Sequence, residues 1–284
     1  MRSSSSTSGR YKIIGYGICG SNEKYLKNTL EEFKRLCDHT IIVCNNTDQE
    51  SKDLITSYGF EIREDNREWG TSQHKIKENL VRSLSEYEPD WLICLDMDEV
   101  FDKSLTREKF EEYADQCDAM YVYIVNLWGK GWKRQWSFWN VRAWKWNGNT
   151  KFVNRPLHCG LAPEWHYHYG SCVPVILWHY GLKTKASRSR KIKRYKEFDP
   201  KAIYRDKSYY DALSDDTYEE IDVAFIQKSI ENEVLPIKRK RVSQTAEKKY
   251  CYVVSPDGRT VDIPEAQLDE HLKRGFTLAD GKET

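Results

Sequence analysis

Two aspartates one residue apart, Asp96-Met97-Asp98, followed at once by Glu99, close the apolar stretch WLICL. Hard carboxylate oxygens held at the end of a rigid element suit Mg²⁺ or Mn²⁺, and such an ion bridges to the phosphates of a nucleotide. An imidazole occupies a comparable place, because His179 ends the run VPVILWH and is followed by Tyr180-Gly181 and a basic stretch. In that stretch Arg188, Lys191 and Tyr195 stand at i, i+3 and i+7. On a helix they share one face, where cations would neutralise a phosphorylated leaving group. His158, His166 and His168 add further imidazoles, but no Cys pair accompanies them. The pattern therefore favours a carboxylate site for a hard cation over zinc.

A bare Asp-x-Asp is a weak signal, and its weight comes from what precedes it. From Tyr11 the chain alternates strand and helix: YKIIGYGI, then SNEKYLKNTLEEFKRL with Ser21 as cap and Leu26, Leu30, Phe33 and Leu36 near helical spacing. HTIIVCN reads as a buried strand, DQESKDLITSYG as a helix ended by Gly59, FEIRE as a third strand, and TSQHKIKENLVRSLSEY as a helix opening at Thr71. WLICLDMDE is the fourth strand. Such alternation predicts a Rossmann-like, mostly parallel α/β sheet in which ligands gather at the carboxyl ends of the strands. A short helix near Leu105 to Asp115 and the strand DAMYVYIVNLWG follow. The Trp-rich region after it reads as strands joined by the turn Asn147-Gly148. VPVILWHYG is a further strand, and Thr184 to Tyr195 a basic helix before the Asp199-Pro200 break.

The chain has 284 residues, of which 39% are hydrophobic and 13% aromatic, which excludes a wholly disordered protein. Its apolar runs are too short for a membrane-spanning helix. A net charge of +1 hides an asymmetry: residues 130–210 carry +14, the remainder −13, and eight of the ten Trp fall between Trp128 and Trp178. A polyanion or phosphorylated ligand is expected there. Trp144-Lys145-Trp146 places two rings on one strand face, as a platform for a sugar or nucleobase requires, while other members of the set, Trp132, Trp136 and Trp139, are equally suited to a core. The eight cysteines are scattered and read as reduced core thiols. The Ser-rich residues 1–10 lack the apolar centre of a secretory signal, so they read as a flexible tail and a cytoplasmic setting is expected.

The strand ending in the loop Asn22-Glu23, the second strand ending in the polar turn Asn45, Asn46, Thr47, Asp48, the LDMDE motif and the later strand ending in WHYG together make the sequence similar to the nucleotide-sugar glycosyltransferases of the GT-A fold, most closely family 2. The resemblance covers roughly Tyr11 to Asp199. It implies a GT-A α/β fold, with Asp96 toward the ribose or base, Asp96 and Asp98 at the metal, His179 as third metal ligand and Arg188, Lys191 and Tyr195 at the diphosphate. Asn22, Glu23, Asn45 and Asp48 would bind the nucleotide. In that family the second strand usually ends in an acidic pair that holds uracil, whereas here Asn45-Asn46 stands there and the first acid is Asp48. A UDP-sugar is the default donor. Transfer in the family is usually inverting, with a carboxylate deprotonating the acceptor. Glu164, the lone acid between Ala119 and Lys196, is the preferred base, and Asp199 and Glu99 are alternatives.

The expected organisation is a tail (1–10), a GT-A domain (11–212, with a nucleotide-sugar half 11–101 and an acceptor half 102–212), a linker or helical extension (213–245) and a small C-terminal hairpin-helix module (246–284) built around Pro256-Asp257-Gly258. The expected activity is metal-dependent transfer of a sugar to an acceptor hydroxyl. The acceptor is expected to be anionic, with nucleic acid bearing a hydroxylated base preferred over a lipopolysaccharide or phosphorylated glycan. A metal-dependent nucleotidyltransferase and a non-catalytic nucleic-acid-binding protein are the alternatives.

Overall fold

The computed structural model describes residues 10–154, 159–167, 170–201, 207–234, 250–254, 260–264 and 277–278. Two compact units divide the chain, Met1–Leu235 and Pro236–Thr284.

In the first unit, β1 (Ile13–Cys19), α1 (Leu26–Leu36), β2 (His39–Cys44), α2 (Gln49–Ser57), β3 (Glu61–Glu64), α3 (Trp69–Ser83) and β4 (Trp91–Cys94) alternate as the sequence predicts. β1 lies between β2 and β4, parallel to both, and β3 adds parallel to β2. Successive strand residues face opposite layers: Ile13 and Ile42 pack with Leu30 and Phe33 of α1, whereas Ile14, Ile41 and Val43 pack with Ile76, Leu80 and Val81 of α3. The alternation of buried positions in a doubly covered sheet is why these strands read as unbroken apolar runs. Asp48 caps α2 by accepting from the Ser51 N–H. α1 starts at Leu26 rather than at a Ser21 cap. Asn22 adopts a left-handed φ of 60° and donates its N–H to Asp48, so residues 21–25 form a loop at the carboxyl end of β1.

The remaining strands are β5 (Glu99–Phe101), β6 (Ala119–Trp128), β7 (Gly131–Trp132), β8 (Phe138–Lys145) and β9 (Ser171–His179), and the helices α4 (Arg107–Ala114), α5 (Lys185–Phe198), α6 (Lys207–Ala212) and α7 (Val223–Glu233). The sheet runs β3-β2-β1-β4-β8-β6-β9-β5, with β7 paired to β6. β8 and β5 are antiparallel to their neighbours, and β6 and β9 are parallel to each other. This is a mixed, mostly parallel Rossmann-like α/β sheet. β1 leads outward through β2 to β3 on one side while β4 lies on the other, so the order reverses between β1 and β4, where a ligand crevice is expected.

The Asn147-Gly148 hairpin does not form. β8 ends at Lys145, Gly148 turns with φ 79°, and the chain then crosses to α3, where the Phe152 N–H donates to Glu78 and its ring is buried. Thr184 caps α5 in a reciprocal pair with Ser187, and the helix continues to Phe198. α7 buries Ile226 and Ile230 against Val125 and Ile176. The seven cysteines whose side chains are described are free thiols, and burial pushes those of Cys37 and Cys94 well above their ordinary range. Among the described residues no helix is long and apolar enough to cross a membrane.

In the second unit β10 (Tyr250–Val254) pairs antiparallel with β11 (Thr260–Pro264) and with β12 (Thr277–Leu278). The tail 1–9, the turn at 256–258 and the helix expected after β11 lie outside the described residues.

Candidate active site

β4 delivers the carboxylates to the crevice. Beyond Cys94 the chain turns, closed by a 3.0 Å bond from the Glu99 N–H to the Asp96 carbonyl, and reverses into β5. β5 pairs with β9 so that Glu99 lies opposite His179, and β9 pairs with β6 so that Asn126 lies opposite the same histidine. Three strands far apart in sequence thereby align Glu99, His179 and Asn126 in one row. The Tyr180 N–H donates to the Asp98 carbonyl at 2.8 Å, fixing Asp98 against the end of β9.

Asp98 Oδ2 faces His179 Nε2 at 3.6 Å, longer than a hydrogen bond, and Asp98 Oδ1 is buried without a partner. A Cβ on Gly181 would lie 2.1 Å from Asp98 Oδ2 and 2.8 Å from His179 Nε2, so glycine is what keeps this space open. Burial pushes the Asp98 carboxyl up, but His179 and Lys191 outweigh it and hold the group below its usual range, hence ionised. Glu23, from the β1 loop, is raised to about 7 by burial and then by the charges of Asp98 and Asp96, with Arg194 opposing. An orphaned carboxylate oxygen, a facing imidazole and converging negative charge fit a hard divalent cation. Among the described residues no group of three or more His, Cys, Asp or Glu is set to hold a metal ion. The chain would therefore supply the pair Asp98 and His179, leaving other positions to phosphate oxygens and water, as Mg²⁺ sites commonly do.

The neighbouring acid is spent differently. Glu99 accepts two bonds from Arg142, Nε to Oε2 at 2.7 Å and Nη2 to Oε1 at 2.6 Å, with both side chains buried. Its Oε2 also accepts from the Asp96 N–H at 3.2 Å, so Glu99, although it lines the cleft, is tied to Arg142 and steadies the motif.

Around this point lies a cleft of about 1040 Å³. Glu23, Asn45, Asp96, Asp98, His179, Lys191 and Tyr195 line it, and Asn22, Asp48, Glu164, Asp199 and Arg188 do not. Asp48 is committed to the Asn22 and Ser51 N–H groups, which lower its carboxyl to about 2. Asn45 donates its amide to the carbonyls of Asp65 and Arg67. Glu164 opens a 3-10 helix, Glu164–Tyr167, with its N–H on Lys151. Asp199 is buried at the end of α5, its N–H on the Tyr195 carbonyl.

Arg188, expected at the diphosphate, instead serves the fold. It is 2% exposed, bonds the carbonyls of Leu213 and Leu182, pairs with Asp216 and lies 4.4 Å over the Trp128 ring. The face of α5 that meets the cleft is Lys191, Arg194, Tyr195 and Phe198. That face is an i, i+3, i+4, i+7 stripe, and counting from Lys191 instead of Arg188 would have included Arg194. Arg194 lies over the Trp69 ring at 5.8 Å. Lys77, buried on α3, donates to the carbonyls of Cys159 and Gly160 and lines the cleft as well. Nothing in its local sequence distinguishes it from a solvated lysine.

The cleft lining drawn from residues 135–140 is neutral: Gln135, Trp136, Ser137, Phe138 and Asn140, with Phe138 47% exposed. The platform expected at Trp144 and Trp146 is core instead, Trp144 being fully buried and Trp146 packed on the same cluster. Trp128 and Trp132 are buried too, and their indole N–H groups donate to the carbonyls of Asp215 and Glu220. His166 packs against Trp144 and is lowered to about 4 by burial, a neutral core histidine, while His158 and His168 lie outside the described residues.

No protein family and no curated protein matches the chain. Among solved structures it is similar to S. aureus TarS, with 9% identity and a TM-score of 0.42 over 71% of this chain and 42% of that one. It is similar to glucosyl-3-phosphoglycerate synthase from Mycobacterium tuberculosis in complex with Mn²⁺ and uridine-diphosphate-glucose, at 12% identity and TM-score 0.29, over 40% of this chain and 44% of that one. A third is CMP:2-keto-3-deoxy-manno-octonic acid synthetase complexed with CTP, at 12% identity and TM-score 0.27, over 40% and 53%. The chain spans about half the length of these structures or less. Likeness at this level leaves the chemistry to be read from the cleft.

Proposed function

We propose that this protein is a metal-dependent glycosyltransferase that moves a sugar from a nucleotide diphosphate sugar, with UDP as the default nucleotide, to an acceptor hydroxyl. The observation that carries the reading is Asp98: ionised, with one oxygen orphaned and the other facing His179 across a space that Gly181 keeps clear, at the reversal point of the sheet. Asp98 and His179 would hold Mn²⁺ or Mg²⁺, and the ion, when bound, supplies charge to the diphosphate as it departs. Lys191 and Arg194 supply the same from α5, as fixed cations that need not reorganise. The acceptor oxygen bonds to the anomeric carbon as the bond from that carbon to the β-phosphate oxygen breaks, the hydroxyl proton is released, and the nucleoside diphosphate leaves with the electron pair.

For the acceptor, the exposed Arg190, Lys193 and Lys196 of α5 and the aromatic pair Trp136 and Phe138 support an anionic substrate, with nucleic acid bearing a hydroxylated base preferred. Phosphate contacts would make its binding weaken with salt.

Donor hydrolysis needs no knowledge of the acceptor. Wild type and Asp98→Asn are assayed with Mn²⁺ against UDP-, GDP-, TDP- and CDP-sugars with release of nucleoside diphosphate measured, and in parallel against the nucleoside triphosphates with sugar 1-phosphates, where pyrophosphate is measured. Metal-dependent nucleoside diphosphate release that Asp98→Asn loses is the expected result. Pyrophosphate release, or hydrolysis indifferent to Asp98, would reject the reading.

A further inference from the structure

We infer that Asn126 is a positioning residue that keeps the proton of His179 on Nδ1, so that whenever the imidazole is neutral its Nε2 lone pair faces Asp98. The role assigned to that lone pair rests on the proposed metal site. The geometry behind the tautomer does not.

Asn126 is the polar exception in β6, whose sequence is otherwise AMYVYIVNLW with no other amide or charge, and it is 3% exposed. A buried amide is costly unless each of its groups finds a partner. Three further bonds of Asn126 go to residues 133–137. Its N–H donates to Ser137 Oγ at 3.3 Å, its carbonyl accepts from the Lys133 N–H at 2.9 Å, and its Nδ2 donates to the Trp136 carbonyl. The last bond settles the amide, because rotating it by half a turn would set Oδ1 against the Trp136 carbonyl, acceptor against acceptor. Oδ1 therefore faces His179 Nδ1, and an amide oxygen can only accept. The proton must sit on Nδ1. Nε2 is then the nitrogen left to face Asp98 Oδ2 at 3.6 Å. Strand register reinforces this, since Asn126 lies opposite His179 in the β6–β9 pairing. The device also ties the imidazole to the neutral part of the cleft lining through Trp136.

The test uses the full chain with 15N-labelled histidine, free of metal, at pH 8, together with Mn²⁺ titration followed by electron paramagnetic resonance. Wild type should show His179 protonated at Nδ1. Asn126→Leu should lose that preference and bind Mn²⁺ about 10- to 100-fold more weakly, the usual cost of losing a partner behind a metal-binding histidine. Asn126→Asp, which keeps an acceptor for Nδ1 but loses the donor to the Trp136 carbonyl, should restore the Nδ1 protonation more fully than the Mn²⁺ affinity. Asp98→Asn should lose Mn²⁺ binding and keep the tautomer. A wild-type His179 protonated at Nε2, or an Asn126→Leu protein with wild-type circular dichroism and wild-type Mn²⁺ affinity, would overturn the inference. Should Mn²⁺ binding ignore Asp98 while the tautomer is as described, the metal reading and the purpose given to Asn126 both fall.

Discussion

Asp98 and Glu99 are adjacent in sequence, alike in chemistry and opposite in state. Glu99 sits between strands, closed in a two-bond pair with Arg142. Asp98 sits at the rim with one oxygen unpartnered and the other 3.6 Å from an imidazole. A buried ionic group that is paired belongs to the fold, whereas one with a buried oxygen left open at the cleft marks a place reserved for something else. The same division separates Arg188 from Arg194 on α5: the first is consumed by Asp216, two carbonyls and a Trp ring, and the second reaches the cleft.

The sharpest way to break the comparison is to change each carboxylate in turn. Asp98→Asn should lower donor turnover by about 1,000-fold, the scale of losing a principal electrostatic contact in the transition state, while leaving thermal unfolding near wild type. Glu99→Gln should do the reverse, costing about 3–5 kcal/mol in urea unfolding because Arg142 is left buried and uncompensated. The double replacement Glu99→Met with Arg142→Met should recover most of that loss. Comparable stability losses at the two acids would erase the distinction.

Gly181→Ala should weaken Mn²⁺ binding about 100-fold with a smaller effect on stability, since its Cβ intrudes between Asp98 and His179 rather than into the core. Calorimetric titration checks it. On α5, Arg188→Met should cost about 2 kcal/mol of stability through its lost carbonyl and aromatic contacts. Arg194→Met should instead raise the donor KM about tenfold at unchanged stability.

The smallest effect concerns Glu23. Its folded carboxyl, held near 7, keeps a proton that the unfolded chain gives up near its ordinary value. That contribution is fully present below about pH 4.3 and is lost as pH rises through about 7, an effect on the order of 2 kcal/mol. Metal-free protein should therefore lose stability across this window, and Glu23→Gln should flatten the slope.

Much of the first hundred residues was legible because periodicity and caps act within a few positions. The alternation of elements and the strand that ends in Asp96-Met97-Asp98 follow from neighbours along the chain, although α1 and α3 start at Leu26 and Trp69 and not at the positions expected from Ser21 and Thr71. The acceptor half was less legible. Its charge count overstated the free cations, because Lys133, Arg142 and Arg188 are neutralised by Asp215, Glu99 and Asp216, two of which lie beyond the end of the basic segment. Three of its tryptophans, Trp128, Trp132 and Trp144, proved to be buried core, as apolar bulk on strands commonly is.

By itself the sequence determined that the fold is a layered α/β sheet, that carboxylates crowd the end of its fourth strand, and that a histidine ends a later one. Which carboxylate stays open, which arginine meets the cleft, and that Asn126 stands behind His179 were decided in three dimensions. Those pairings join residues 43 and 53 positions apart, through strand register and burial. Local pattern extends over about one helical turn or one strand pair, and the free energy that sorts an open charge from a closed one depends on neighbours that only the folded sheet supplies.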